Sequence, residues 1–135
     1  MIRKSFDQSL YNQNDKKARQ AAKKYWTGKD VNVIDNPDRY GPDLIFDDGS
    51  FLEVEVKHTW TDTFPFDTLQ LPERKEKFAK LNCKFMVFNK TFTKAFLFDG
   101  DQVLQSDKKE VKNKFVPSGE MFFQIPISKI QLCEI

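Results

Sequence analysis

The segment GPDLIFDDGSFLEVEVK, Gly41 to Lys57, gathers acidic and basic side chains at regular spacing. Side chains alternate along an extended strand, so Phe51, Glu53, Glu55 and Lys57 share one face while Leu52, Val54 and Val56 share the other. The Leu/Val face suits a core. The opposite face puts like charges at neighbouring positions, which costs free energy unless positive charge lies between them. A divalent cation supplies that charge, because Mg²⁺ favours a few carboxylate oxygens with water and a substrate phosphate completing its shell. Asp43, at the start of the strand before the turn, can bring its carboxylate to the same spot. The matching chemistry is hydrolysis of a phosphodiester. It needs a nucleophile made at neutral pH and relief of charge on the non-bridging oxygens, which a metal supplies and a lysine assists.

These residues must be held by elements. DLIF and FLEVEVKH flank DDGS, which reads as a tight hairpin connection with Gly49 at the positive-φ position. Upstream, DKKARQAAKKYW repeats Ala18, Ala21, Ala22, Tyr25 and Trp26 at helical spacing, with Asp15 as the expected cap and Gly28 as the stop. VNVID reads as a short strand and NPDRYGP as a connector. Downstream, TWTDTFPFDT reads as a loop and LPERKEKFAKL as a helix entered at Pro72 with Glu73 at the favourable end of its dipole. KFMVFNK and TKAFLFDG are strands joined by a turn, and DGDQV reads as a turn into another strand. SDKKEVKNKF is expected to be an exposed loop or short helix, and MFFQIPI the closing strand. The order predicts an α/β fold with a central mixed β-sheet flanked by helices.

Pro42-Asp43 followed across a hairpin by Glu55-Val56-Lys57 resembles the motif of the PD-(D/E)XK nuclease superfamily, the restriction-endonuclease-like and junction-resolvase-like enzymes. In that family one helix precedes the motif strands and another follows, and the resemblance covers roughly residues 10 to 90 by element order. It implies that Asp43 and Glu55 hold Mg²⁺ or Mn²⁺, with the Val56 carbonyl oxygen as a third ligand, and that Lys57 orients or helps deprotonate the attacking water. Many members add an acidic residue from the first helix; Asp15 is the candidate here, with Asp7 behind it. The family's usual Glu is absent from that helix. Glu53 is off-pattern and is assigned either to a second metal or to a pairing with a lysine at the strand's outer end. Gln70 matches a position where some members place a polar residue. The implied activity is metal-dependent endonucleolytic cleavage of DNA, double-stranded or branched, in a phage or mobile-element setting.

The 135-residue length fits one domain, residues 1–135, able to bury a core without staples. The 14 Phe make that core aromatic, and the net charge of +2 does not by itself call for a polyanion partner. Clustering carries that expectation: Lys16, Lys17 and Arg19, with Arg74 and Lys75, are placed to flank a phosphate track, against the plainer reading of two solvated helix faces. Trp60, Phe64 and Phe66 read first as core lid residues or a dimer contact, with stacking on splayed bases as the other reading. Cys83 and Cys133 lack metal spacing and read as reduced thiols of a cytoplasmic protein. No apolar run is long enough to span a bilayer, and no secretory h-region begins the chain. His58, the one histidine, follows Lys57 on the opposite face, which disfavours a Ser-His or Cys-His hydrolase; Walker, HExxH and CxxC motifs are missing. The alternative to an enzyme is a non-catalytic nucleic-acid- or protein-binding module with a nuclease-like fold, monomeric or a homodimer.

Overall fold

The computed structural model describes residues 8–112 and 119–135, with side chains from residue 15 onward. Helix α1 (Gln8–Thr27) leads into a meander of β1 (Val33–Asp35), β2 (Leu44–Phe46) and β3 (Phe51–Lys57). Then come β4 (Thr68–Pro72), a 3-10 turn over Glu73–Lys75 that runs into the single-turn helix α2 (Glu76–Ala79), and the hairpin of β5 (Cys83–Asn89) and β6 (Lys94–Asp99). Helix α3 (Gly100–Leu104), β7 (Asp107–Val111), β8 (Glu120–Pro126), a 3-10 turn over Ile127–Lys129 and β9 (Gln131–Glu134) complete the order.

The strands form two sheets. One has six strands in the order β1-β2-β3-β5-β6-β9, and the other has three, β4-β8-β7. Only β3 and β5 run parallel, in register from Phe51 opposite Cys83 to Lys57 opposite Asn89; the remaining pairs are antiparallel. The larger sheet is therefore mixed, and the fold is α/β. Period-two alternation gives this sheet two apolar faces. On one, Leu44, Leu52, Val54, Met86 and Phe88 pack against Ala18 and Ala22 of α1, whose small side chains let the helix approach closely. On the other, Phe85, Val87, Phe96 and Phe98 pack with Leu69 and Leu71 of β4, Phe123 and Ile125 of β8, Phe78 of α2 and Val103 of α3. A layer on each face satisfies the rule that a two-sided apolar sheet must be covered twice. Gly49 takes φ +85° in the β2–β3 turn, as the DDGS reading requires.

Several elements differ from the sequence reading. Helix α1 begins at Gln8, so Asp15 is not its cap but a mid-helix residue paired with Arg19 one turn on. The expected helix over LPERKEKFAKL is a strand, a 3-10 turn and one helical turn, because Leu69 and Leu71 alternate toward the core and β4 pairs with β8. DGDQV is helix α3, capped by Asp99 and Gln102 in a reciprocal capping box. Within SDKKEVKNKF, Asp107–Val111 is an outer strand, and β9 lies beyond the strand expected to close the chain. Cys83 and Cys133 are free and buried. Among the described residues, no helix is long and apolar enough to cross a membrane.

Candidate functional site

The site begins where β2 ends. Leu44 pairs with Leu52, and β3 then runs five residues past the last β2 partner to Lys57. Within a strand, the N–H and C=O of one residue point to the same side and neighbours alternate. The Val54 N–H donates to Asp43 Oδ2 at 3.0 Å. The peptide groups of Val54 and Val56 thus face the side that β2 has vacated. The Pro42–Asp43 link is fixed by Asn36, whose Nδ2 donates to Pro42 O at 2.8 Å and whose backbone N–H donates to Asp43 O at 3.0 Å. Asp43 returns the contact to β3, its N–H donating to Glu53 Oε1 at 3.1 Å.

Glu53, not Glu55, is therefore the carboxylate in direct contact with Asp43. Only 5 % of Glu53 is exposed, and its Oε2 accepts an ion-paired hydrogen bond from Lys75 Nζ, at the end of the 3-10 turn after β4. Glu53 does pair with a lysine, but that lysine comes from the turn after β4 and not from the outer end of the strand, where the sequence reading puts it. Glu55, one step along the same face, accepts from Lys57 Nζ through Oε1 at 3.3 Å, while its Oε2 is buried without a hydrogen-bond partner. The Lys57 amine also donates to Gln70 O at 3.0 Å, tying β3 to β4.

Burial pushes the Asp43 carboxyl up to about 7, with the Glu53 charge adding to the effect. Burial and then the Asp43 charge raise Asp15, against the pull of Arg19. At Lys75 burial opposes the ammonium, but Glu53 first, then Asp43 and Glu55, outweigh it and raise its pKa. Four carboxyl groups from α1, the start of β2 and β3 thus lie within electrostatic range of one lysine. Two open hollows meet there. One of about 240 Å³ is lined by Asp15, Glu55, Val56, His58, Arg74 and Lys75. Its neighbour of about 280 Å³ takes in Asp43, Glu53, Arg39 and Tyr40, and shares Arg74 and Lys75 with the first.

Among the described residues, no three Asp, Glu, His or Cys side chains form a metal cage. The donors present make a sparser set: the Asp43 carboxyl, the orphaned Glu55 Oε2 and the Val56 peptide oxygen on the open strand edge. A buried carboxylate oxygen without a partner calls for a cation or water. Such a set suits Mg²⁺, which binds through one or two carboxylates and keeps several waters. Asp15 stands in the hollow with Glu55 and can supply a further oxygen; Asp7 lies outside the described residues.

Of the basic residues, Lys16 and Lys17 are exposed on α1, whereas Arg19 is engaged by Asp15 and Asp35. Arg74 is exposed and reaches Glu120 at 2.7 Å, and Lys75 is turned inward to Glu53. Trp60 is a core residue, stacked on Phe96 with centroids 4.8 Å apart and its indole N–H donating to Asp62 O at 2.8 Å. Sequence reasoning missed His58 as a lining residue and Lys75 as the counter-charge of Glu53. The buried ion pair had no signal in spacing, because the lysine arrives from a separate layer. A scan against models of known protein families gives no match, and a search of curated proteins gives no similar one.

Proposed function

We propose that this chain is a small metal-dependent endonuclease of the PD-(D/E)XK type that hydrolyses DNA phosphodiester bonds. The observation that carries the reading is a buried, unpartnered Glu55 oxygen beside Lys57, on the strand whose Val54 N–H holds the Asp43 carboxylate. The element order supports it too: a helix, then the hairpin bearing the acidic pair, then a helical turn and a parallel strand beside the motif strand. Asp43, Glu55 and the Val56 carbonyl would hold Mg²⁺ or Mn²⁺. When bound, the ion lowers the pKa of a coordinated water and offsets charge on the phosphoryl oxygens.

The chain's own groups do the rest. Lys57, tethered by Gln70 O and Glu55, presents a positive charge beside the acidic pair, where it orients the water and donates to a non-bridging oxygen. Glu53 receives the Asp43 N–H and so fixes the backbone that aims the Asp43 carboxyl; Lys75 neutralises Glu53 so that both acids are tolerated together. Arg74, Lys16 and Lys17 offer exposed charge to flanking phosphates, a contact that gives salt-sensitive, sequence-independent binding.

Plasmid nicking tests the reading. Wild-type protein is expected to nick with Mg²⁺ or Mn²⁺ and not with EDTA, and Lys57→Ala to lower the rate roughly 100-fold or more. Full cleavage by that variant removes Lys57 from the mechanism. No cleavage of plasmid, single-stranded or branched DNA with either metal overturns the enzyme reading. The second reading is then a binding module with a nuclease-like fold. One observation favours it: Lys57 and Lys75 already pair Glu55 and Glu53, balancing much of the acid without a metal.

A further inference from the structure

Beside Lys57 lies a third hollow, of about 210 Å³, lined also by Phe64, Phe66, Thr59, Thr68 and Gln70. The Lys57 in its lining is the same amine that pairs with Glu55. We infer that this hollow takes an unpaired nucleobase of the DNA strand whose phosphate lies at Glu55, so that the substrate class is DNA carrying unpaired nucleotides. The inference rests on the nuclease reading for the position of that phosphate.

Three observations support it. Glu55 and Lys57 are two residues apart on a strand, roughly 7 Å, about the reach of one nucleotide along an extended strand. A phosphate at the acids therefore sets its neighbouring base at the aromatic hollow. Phe66 is 59 % exposed, yet it is not a loose side chain. It stands edge-on to Phe64 at 5.8 Å, Phe64 stands edge-on to Trp60 at 5.4 Å, and Trp60 is stacked in the core on Phe96. The platform is braced before any ligand arrives, which spares ordering entropy on binding. Finally, the lining also has polar residues, Thr59, Thr68 and Gln70, able to meet base edges of any identity. A base paired and stacked within a duplex cannot enter such a hollow without being extruded, so unpaired strands are favoured.

The test measures binding in EDTA and so does not depend on cleavage. The probe is a short oligothymidylate carrying one 2-aminopurine, compared with a blunt duplex containing the same base. The single strand is expected to bind tighter than the duplex, with quenching of the 2-aminopurine. Phe66→Ala should weaken single-strand binding roughly tenfold or more while leaving duplex binding in place, and Phe66→Tyr should preserve both. Equal single-strand affinity for wild type and Phe66→Ala, absence of quenching, or no binding of the single strand overturns the inference. A protein that binds and quenches but nicks nothing keeps this site and loses the nuclease reading; one that nicks without quenching loses this site alone.

Discussion

Glu53 is a carboxylate in a position almost sealed from water, and it is held there by Lys75 and by the Asp43 N–H. Removing one partner of a buried ion pair leaves an uncompensated charge, which costs about 3–5 kcal/mol. Lys75→Met is therefore expected to lower stability by about that amount in urea melts, and adding Glu53→Gln should return much of it. A loss below about 1 kcal/mol for Lys75→Met would show that Glu53 does not depend on the lysine. Asp43 gives a pH signature. Its carboxyl sits at about 7 in the fold against 3.8 in a free chain, so the fold favours the neutral form. That contribution is complete below about pH 4 and is lost as pH rises through 7, on the order of 4 kcal/mol. Melts of metal-free protein in EDTA should thus show stability falling from pH 5 to pH 8, with Asp43→Asn flattening the slope; an unchanged slope would place the dependence elsewhere. The alternation of Glu53, Glu55 and Lys57 is readable in sequence, because a period of two follows from strand geometry alone. The contact between Asp43 and Glu53, and the choice of Lys75 as counter-charge, are tertiary and have no periodic trace.

The elements obey local rules to unequal degrees. Asp99 Oδ1 accepts from the Gln102 N–H at 2.9 Å and Gln102 Oε1 accepts from the Asp99 N–H at 3.0 Å, so the short α3 depends on its cap. Asp99→Ala is expected to cost about 1 kcal/mol by urea denaturation. Gly100, next along, packs so tightly that an added Cβ would collide with the Ala79 backbone. Gly100→Ala should cost more than Asp99→Ala, about 1–3 kcal/mol, because α2 and α3 must separate to admit the methyl; a neutral effect would mean that this junction is loosely packed. These features explain where the sequence misleads. Asp99-x-x-Gln102 is a capping signature, but a five-residue helix is too short to display helical periodicity, so a turn is the natural reading. The run Asp107–Val111 shows no apolar alternation because β7 is the outer strand of its sheet, where charge is tolerated and discourages edge pairing. Lys108 there pairs with Glu73 and Glu76. Thr68–Pro72 does alternate, yet Pro72 followed by acidic and basic residues imitates a helix start. By contrast β2, β3, β5 and β6 are legible, since buried central strands impose their apolar pattern on the sequence.

At the scale of the whole molecule, the proposed site joins layers that also meet through apolar packing and, at β1, through the Arg19 and Lys23 pairs with Asp35. Asp15 comes from the helix layer on one face of the six-stranded sheet, Asp43 and Glu55 from the sheet itself, and Lys75 and the Gln70 carbonyl from the chain that builds the layer on the other face. A cation shared by Asp43, Glu55 and the Val56 carbonyl would link the start of β2 to the exposed edge of β3, where no β2 partner remains. Binding to the folded state alone stabilises by about 2.7 kcal/mol at a ligand concentration 100 times Kd. For a domain of this size that is a rise in Tm of roughly 10 °C. Mn²⁺ should therefore raise the melting temperature in a concentration-dependent way that EDTA reverses. Glu55→Gln should abolish the rise by weakening a ligand, whereas Lys57→Ala should keep or enlarge it, because removing the amine frees Glu55 Oε1 and lowers repulsion toward the ion. This opposite response of two neighbouring side chains separates a metal-holding carboxylate from a catalytic amine. Equal melting shifts in wild type and Glu55→Gln would exclude Glu55 as a ligand, and no shift in wild type would leave the acids as partners of Lys57 and Lys75 alone.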